Sequence, residues 1–300
     1  MGRLDKQVTI VTGASAGIGE STVRWLAREG ATVVMAARRL DRLDQIKQQI
    51  ESSGGRAVSV ACDITLPEDR ERLVSEALKV NGRIDSLVNN AGYGQRGPIE
   101  LVPVEKIRQN FETNLFSLIA LTQLVIPLMR EQGSGRIVNI SSVAGRIARP
   151  LSSVYDATKH ALEAISDGMR GELAPFGIKV VVIEPGFIIT EFLEVASKEA
   201  RPITERPAHY EPFFEGFNAG YQRMRRMAGQ PDDIARLVVK SLTLKKPRPR
   251  YAAPRHARIF IALRRWMPER IFDYFLSRQS GVSADKLKTT SKASVGAAKM

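Results

Sequence analysis

Cysteine is almost absent from this 300-residue chain, which limits both its redox and its metal chemistry. Cys62 is its one cysteine, so no internal disulfide can form and a reducing compartment such as the cytoplasm is expected. The three histidines, His160, His209 and His256, are too scattered to indicate a metal site, and no Cys/His cluster occurs. We therefore expect neither a disulfide framework nor a bound metal.

Long uncharged apolar runs are also missing. No stretch of about 18 uncharged apolar residues occurs, so no membrane-spanning helix is predicted. The opening residues MGRLDKQVTIVTG lack the apolar core and cleavage site of a signal peptide. Lys6 stands where a myristoylation signal needs serine or threonine. A cytoplasmic protein is expected, with any membrane contact peripheral.

Charge is abundant but unevenly distributed. The chain is 43% hydrophobic and 26% charged with a net charge of +13, which suits one large globular domain. Residues 245–300 hold 14 Lys/Arg and three Asp/Glu, so this segment carries +11 of that charge. Such asymmetry indicates either a solvated basic tail or an acidic partner. Nucleic acid is not the expected partner, because no base-reading motif occurs.

Short runs rich in valine and isoleucine alternate with amphipathic segments. The predicted strands are Val8–Val11, Thr32–Met35, Ala57–Ala61, Ser86–Val88, Ile137–Ile140 and Val180–Ile183. The predicted helices are Ile18–Arg28, Leu40–Glu51, Glu68–Val80, Val104–Met129 and Ser153–Leu173. This alternation predicts an α/β fold, a Rossmann-type doubly wound parallel sheet with helices on both faces.

The chain divides into three predicted segments. A Rossmann-type domain spans residues 1–250, a basic amphipathic helical extension spans 251–280, and a disordered tail spans 281–300. Within the domain, residues 187–226 are too long for a connector and predict a lid. The lid is rich in large apolar side chains, namely Phe192, Leu193, Tyr210, Phe213, Phe214, Phe217 and Tyr221. These side chains suit an apolar ligand or simply pack the lid on the body.

The first predicted strand leads into a glycine-rich turn. Gly13, Gly17 and Gly19 separate it from the first helix. Glycine permits a tight turn and close approach of a ligand, and the free N–H groups of a helix N-terminus suit a pyrophosphate. The spacing G-x-x-x-G-x-G departs from the usual dinucleotide pattern, but its place in the first strand–helix unit favours nucleotide binding.

Two arginines follow the second predicted strand. In dinucleotide sites an acidic residue here holds the ribose 2′-hydroxyl, whereas arginine accommodates a 2′-phosphate. After the predicted strand Thr32–Met35 the sequence continues Ala36-Ala37-Arg38-Arg39, and no carboxylate follows the strand until Asp41. The pair favours NADP(H) over NAD(H), unless both arginines only solvate a loop.

Tyr155 and Lys159 lie one helical turn apart and predict acid–base chemistry. A phenol with a pKa of about 10 exchanges protons poorly at neutral pH unless its anion is stabilised, as by an adjacent ammonium. Ser142, after a predicted strand, could donate to a substrate oxygen that gains negative charge, with Ser141 as the competing choice.

Six motifs in register give the chain a family resemblance. They are Thr12-Gly13-Ala14-Ser15-Ala16-Gly17-Ile18-Gly19, Asn89-Asn90-Ala91-Gly92, Asn114, Ser142, Tyr155-x-x-x-Lys159, and Pro185-Gly186 with Thr190. With them, roughly residues 5 to 245 resemble the short-chain dehydrogenase/reductase family. The resemblance implies a nicotinamide-dependent oxidoreductase that interconverts a carbonyl compound and an alcohol.

The resemblance also implies the site residues. The catalytic set is Asn114, Ser142, Tyr155 and Lys159. The cofactor-binding set is Gly13, Ser15, Ala16, Gly17, Ile18, Gly19, Arg38, Arg39, Asp63, Ile64, Asn90, Ala91, Gly92, Tyr155, Lys159, Pro185, Gly186, Ile188 and Thr190. Asp63 would bind the adenine amino group, and Asn114 would hold a water that relays protons to Lys159. Ala16 stands where many NADP-preferring members have a basic residue, which leaves Arg38 as the main phosphate contact.

The extension RHARIFIALRRWMPERIFDYFLSR has apolar residues at roughly helical spacing with six arginines between them. Pro268 divides it into two short helices. Such a basic amphipathic pair could lie on an anionic membrane, dock on the body or contact a second subunit.

Together these observations predict an NADP(H)-dependent reductase of an apolar, lipid-like, steroid-like or acyl ketone or aldehyde, acting as a homo-oligomer. The alternatives are NAD(H)-dependent alcohol oxidation by the same residues, and a catalytically silent NADP(H) sensor or scaffold at a membrane surface.

Overall fold

The computed structural model describes residues 2–192 and 210–279 and contains a seven-stranded parallel sheet. Its strands are β1 (Val8–Thr12), β2 (Thr32–Ala37), β3 (Arg56–Ala61), β4 (Ser86–Asn89), β5 (Gly135–Ile140), β6 (Ile178–Pro185) and β7 (Arg250–Ala253). Their spatial order is β3-β2-β1-β4-β5-β6-β7. The predicted doubly wound sheet is confirmed, since the order reverses direction between β1 and β4.

Helices cover both faces of this sheet. In the described residues they are α1 (Gly17–Arg28), α2 (Leu40–Ser52), α3 (Pro67–Asn81), α4 (Val104–Phe111), α5 (Ser117–Glu131), α6 (Ser153–Leu173), α7 (Glu211–Arg225), α8 (Pro231–Thr243), α9 (Arg255–Trp266) and α10 (Glu269–Gln279). Helices α1, α2 and α8 pack on one face, and α3, α5 and α6 on the other.

Side-chain alternation along the strands builds both cores. In β1, Val11 belongs to the core under α1 and α8, while its neighbour Ile10 belongs to the core under α3 and α5. Successive side chains of a strand point to opposite faces, so a strand buried on both sides needs apolar residues throughout. This explains why the runs of valine and isoleucine predicted these strands.

The long predicted helix Val104–Met129 is interrupted by a π-helical turn in the structure. A π-helical turn, Glu112–Phe116, separates α4 from α5 and carries Asn114. By length and composition alone, Val104–Glu131 could cross a membrane. Its residues Leu121, Val125 and Met129 are instead fully buried against the sheet, as in the core helix of a globular fold.

The sheet extends past the predicted domain boundary at residue 250. Strand β7 pairs with β6 in parallel, with Tyr251 opposite Ile183 and Ala253 opposite Pro185. Residues 251–253 therefore belong to the sheet, and the helical extension begins with α9. β7 is short, basic and flanked by prolines, which an edge strand tolerates but which hides it from sequence patterns.

Some predictions fall outside the described residues. Leu193, His209 and the predicted disordered tail 281–300 belong to this group.

Candidate active site

The glycine-rich turn between β1 and α1 is built for close backbone contact. Gly13 and Gly17 have φ values of 63° and 56°, in the left-handed region that favours glycine. A Cβ on Gly13 would lie 2.9 Å from the Cα of Ala91, and one on Gly19 only 2.2 Å from the carbonyl oxygen of Gly13. Ala16 precedes α1 without a side-chain cap, so the first N–H groups of the helix remain available to a ligand.

Asn90 fixes this turn from the neighbouring strand. Its Nδ2 donates to the carbonyl oxygens of Thr12 and Gly13 at 3.0 and 3.1 Å. In return, the hydroxyl of Thr12 accepts from the backbone N–H groups of Asn90 and Ala91, both at 3.0 Å. The carboxyl ends of β1 and β4 are thus tied together where the strand order reverses, the usual place for a ligand in such sheets.

The two arginines after β2 have different surroundings. Arg39 donates to the hydroxyl of Ser15 at 3.1 Å and pairs with Glu191 at 3.1 Å. Arg38 is exposed, and its side chain makes no hydrogen bond or ion pair among the described residues. Burial alone would raise the pKa of Asp63, but hydrogen bonds from Thr65 and the charge of Arg38 outweigh it and lower that pKa. Arg38 therefore lies beside Asp63 at the rim, with its guanidinium available to an anion.

Ser142 and Tyr155 meet at the carboxyl end of β5. Tyr155 is 6% exposed, and the ring of Phe192 packs on it with centroids 5.5 Å apart. Burial raises the pKa of Tyr155, while the hydrogen bond with Ser142 and the charges of Arg149 and Arg96 oppose that rise. Ser141 is buried without a hydrogen-bond partner for its hydroxyl. The contact with the phenol therefore distinguishes Ser142 from Ser141.

The cations that act most on the phenol are arginines. Arg149 and Arg96 exert the larger charge effects on Tyr155, whereas the sequence prediction gave this role to Lys159. The Nζ of Lys159 lies 5.9 Å from the centre of the Tyr155 ring, because it donates to the carbonyl oxygen of Ile140 at 2.9 Å. Burial lowers the pKa of Lys159 to about 8, despite the opposing charge of Glu163.

Asn114 lies behind the site. Its amide accepts from the backbone N–H of Tyr93 and donates to the carbonyl oxygen of Tyr93, both at 2.9 Å, and also donates to Thr158 at 3.1 Å. The side chain is fully buried and satisfied. These bonds hold the loop after β4 and accompany the π-helical turn, a feature frequent at functional sites. The predicted role in a proton relay stays a prediction.

The segment after β6 closes the other side. Thr190 packs over the turn, with its Cγ2 3.0 Å from a Cβ built on Gly17. Ile188 is buried and bridges to Gly229, and Pro185 ends β6. These residues therefore face the glycine-rich turn across the cleft.

The glycine-rich turn, the arginines after β2, the Ser142–Tyr155–Lys159 group and the segment after β6 line one cavity of about 750 Å³. Of the predicted site residues, only Gly19 and Asn114 do not line it among the described residues. Gly19 lies beneath the turn and Asn114 behind the Tyr93 loop. Within the described ranges, no group of three or more His, Cys, Asp or Glu is arranged to hold a metal ion.

The helical extension forms a wall of this cavity. Its lining residues are His256, Phe260, Phe272 and Leu276. The Nε2 of His256 accepts from the backbone N–H of Phe187 at 3.1 Å, so the ring carries its proton on Nδ1. Phe272 is 3% exposed. The sequence left open whether the extension contacts a membrane, the body or a second subunit. In the structure, α9 and α10 dock on the body. Sequence reasoning missed this wall, Arg96 and Arg149, because none of them belongs to a motif.

Sheet, turn and cavity together define a Rossmann-type fold with a dinucleotide-sized site at the point where the strand order reverses. The short chain dehydrogenase family model matches residues 7–201, and the chain belongs to this family. Its members bind NAD(P), act on small molecules and are often oligomeric.

Relatives of nearly full length support the assignment. The chain is 30% identical over 270 residues to the NADPH-dependent 3-dehydrocapnine reductase of Ornithobacterium rhinotracheale, covering 88% of this chain and 94% of that one. It is 28% identical over 278 residues to the 3-ketodihydrosphingosine reductase of Bacteroides thetaiotaomicron, covering 91% and 97%. The crystal structure of a short-chain dehydrogenase from Streptomyces avermitilis superposes with a TM-score of 0.73 at 31% identity, covering 97% of both chains.

Proposed function

We propose that this protein is an NADP(H)-dependent oxidoreductase that reduces an apolar ketone or aldehyde to an alcohol. The observation that carries the proposal is that Ser142, Tyr155 and Lys159 line one cavity together, with Tyr155 buried and the Nζ of Lys159 5.9 Å from the centre of its ring. A buried phenol with a raised pKa is protonated at neutral pH, which is the state that a proton donor in carbonyl reduction needs.

The cavity fits a dinucleotide. Side chains on Gly13 or Gly19 would collide with the backbone, and their absence leaves a cradle at the N-terminus of α1. The cavity runs from Arg38 and Asp63 past this cradle to Tyr155. Gly13, Ser15 and Ile18 would hold the pyrophosphate and ribose, Asp63 the adenine, and Ile188 and Thr190 the nicotinamide amide. When bound, the cofactor supplies the hydride.

The residues of the chain supply the proton and hold the oxygen. The phenol of Tyr155 donates its proton to the carbonyl oxygen, and the hydroxyl of Ser142 donates a hydrogen bond to the same oxygen. Lys159, with its pKa of about 8, lies one helical turn away and can return a proton to the phenol near neutral pH.

The NADP(H) preference is supported by Arg38. Its guanidinium is exposed at the end of β2, where a 2′-phosphate is bound in dinucleotide sites. The name of the Ornithobacterium rhinotracheale relative denotes NADPH-dependent reduction of a dehydro compound. The name of the Bacteroides thetaiotaomicron relative denotes reduction of a keto compound. These facts also support reduction as the physiological direction.

An apolar substrate is supported by the rings around Tyr155. Phe187, Phe192, Phe260 and Phe272 line the cavity. We expect kcat/KM to rise along a series of 2-alkanones, roughly fourfold per methylene, because each buried CH₂ contributes about 0.8 kcal/mol. NADPH consumption measures this. Faster NAD⁺-dependent oxidation of the matching alcohols would favour the oxidative alternative. NADPH binding without turnover of any ketone or alcohol would favour a silent sensor.

We further propose peripheral contact of the extension with an anionic membrane. One face of α9 and α10 packs on the body, while Ile259, Trp266 and Ile271 are exposed by 58%, 81% and 55%. Exposed arginines accompany these side chains, namely Arg255, Arg258, Arg265 and Arg270. Exposed large apolar side chains among basic ones match the chemistry of an anionic bilayer surface.

Sedimentation with vesicles tests this contact. We expect the protein to sediment with vesicles that contain phosphatidylserine, and salt to weaken the association. Trp266→Ser combined with Ile271→Ser should reduce the bound fraction at least about tenfold, because about 1.5–3 kcal/mol accompanies burial of each large apolar side chain. Ile99→Ser is the matched control, since Ile99 is 60% exposed elsewhere on the body. Equal sedimentation of all three proteins would contradict the proposal.

A further inference from the structure

We infer that the hydrocarbon part of the substrate ends against Phe272 of α10, so that the helical extension sets the longest chain that the active site accepts. This inference rests on the proposed reductase function and deepens it by naming a specificity-determining residue and a substrate class. The class is a ketone whose hydrocarbon chain extends from the carbonyl along α9 to α10.

The extension is fixed beside the reacting residues. His256, in the first turn of α9, accepts from the backbone N–H of Phe187 at 3.1 Å. The backbone of α9 also approaches the turn Val143–Gly145, which directly follows Ser142. The wall that α9 builds is therefore held next to the serine assigned to the substrate oxygen.

Apolar side chains continue this wall. Phe260 lies one helical turn beyond His256, and the centres of their rings are 6.3 Å apart. Further along the extension, α10 approaches α7. The cavity is lined there by Phe272 and Leu276 of α10 and by Met224 of α7. Such side chains suit a hydrocarbon chain, whereas a charged group would lose its hydration against them.

Phe272 closes the cavity at this end. Its side chain lines the cavity and is 3% exposed. Arg264 lies over the same ring, with its Cζ 5.4 Å from the ring centre, and pairs with Glu269 at 3.2 Å. Arg264 is half-buried and Glu269 is exposed, so the ring separates the cavity from charged side chains at the surface. A chain that already reaches this ring gains no further burial from additional methylenes.

A series of 2-alkanones from 2-butanone to 2-tridecanone, measured by NADPH consumption without vesicles, tests the inference. For the wild type we expect kcat/KM to rise about fourfold per methylene until the chain reaches Phe272, and then to level off. Phe272→Leu removes the ring but keeps an apolar side chain, so this limit should move to ketones longer by about one or two methylenes. Phe272→Trp fills more of the cavity and should move the limit to shorter ketones by about as much.

Phe275→Leu is the matched control, because it makes the same chemical change on the same helix. Phe275 is 37% exposed and does not line the cavity. It should leave the limiting chain length unchanged. If Phe272→Leu lowered kcat/KM equally for 2-butanone and for the longer ketones, Phe272 would act only by docking α10, and the inference would be overturned. One and the same limit in the wild type and both Phe272 variants, or no limit in the wild type, would also overturn it.

Calorimetry separates this inference from the proposed reductase function. Enzyme loaded with NADP⁺ cannot reduce a ketone, so binding of each 2-alkanone is measured without turnover. A limit in affinity that moves in opposite directions in Phe272→Leu and Phe272→Trp supports the role of Phe272 even if no ketone is reduced. Reduction of the series with the same limit in all the proteins rejects that role and leaves the reductase function intact.

Discussion

Tyr155→Phe is expected to lower kcat for ketone reduction by about 10²–10⁴-fold, the usual contribution of a positioned general acid. The substitution removes one oxygen from a side chain that is 6% exposed, and it keeps the ring that packs against Phe192. Affinity for NADPH should stay within a few fold. Stability should fall by only about 1 kcal/mol, the typical net value of a lost hydrogen bond. Steady-state rates with NADPH, fluorescence titration and thermal unfolding measure these three quantities.

Tyr251→Phe provides the matched control. Tyr251 is also buried, and its hydroxyl accepts from the backbone N–H of Arg248 at 2.9 Å. It lies on β7 and does not line the cavity. The same chemical change should therefore lower stability slightly and leave turnover unchanged. If Tyr155→Phe reduced a broad panel of ketones at the wild-type rate, the assignment of the proton donor would be wrong.

The central sheet could be predicted because its signal is local. A strand buried on both faces must be apolar throughout, and helix α6 coincides with its predicted bounds, Ser153–Leu173. Strand β7 carries no such signal, because it is a basic four-residue edge strand whose place depends on pairing with β6. The π-helical turn was also unpredictable, since Asn114 is held there by Tyr93, 21 residues away.

The site was predictable where its residues belong to motifs. The carboxyl ends of parallel strands meet at one edge of the sheet, so the glycine-rich turn, Asn90 and Ser142 converge there. Arg96, Arg149 and Phe272 reach the same cavity from loops and from the extension, where no periodicity indicates the final position. The charges that lower the pKa of Tyr155 were missed for the same reason, because Arg149 and Arg96 belong to no motif.

Arg38→Asp is expected to reverse the cofactor preference. The substitution removes a charged partner of the 2′-phosphate, which is worth about 1.5–3 kcal/mol and weakens NADPH binding by about 10–100-fold. It also places a carboxylate at the end of β2, where NAD-binding sites use one to accept the ribose 2′-hydroxyl. Affinity for NADH should therefore rise. Fluorescence titration of the variant with both nucleotides measures the two dissociation constants.

Lys47→Asp separates this local effect from the change in net charge. Lys47 is 38% exposed on α2 and does not line the cavity, and its substitution changes the charge by the same amount. It should leave the ratio of the two dissociation constants unchanged. Arg39 is a weaker candidate for the 2′-phosphate, because Ser15 and Glu191 already hold its guanidinium. An Arg38→Asp protein that still bound NADPH more tightly than NADH would transfer the phosphate contact to Arg39 and contradict this assignment.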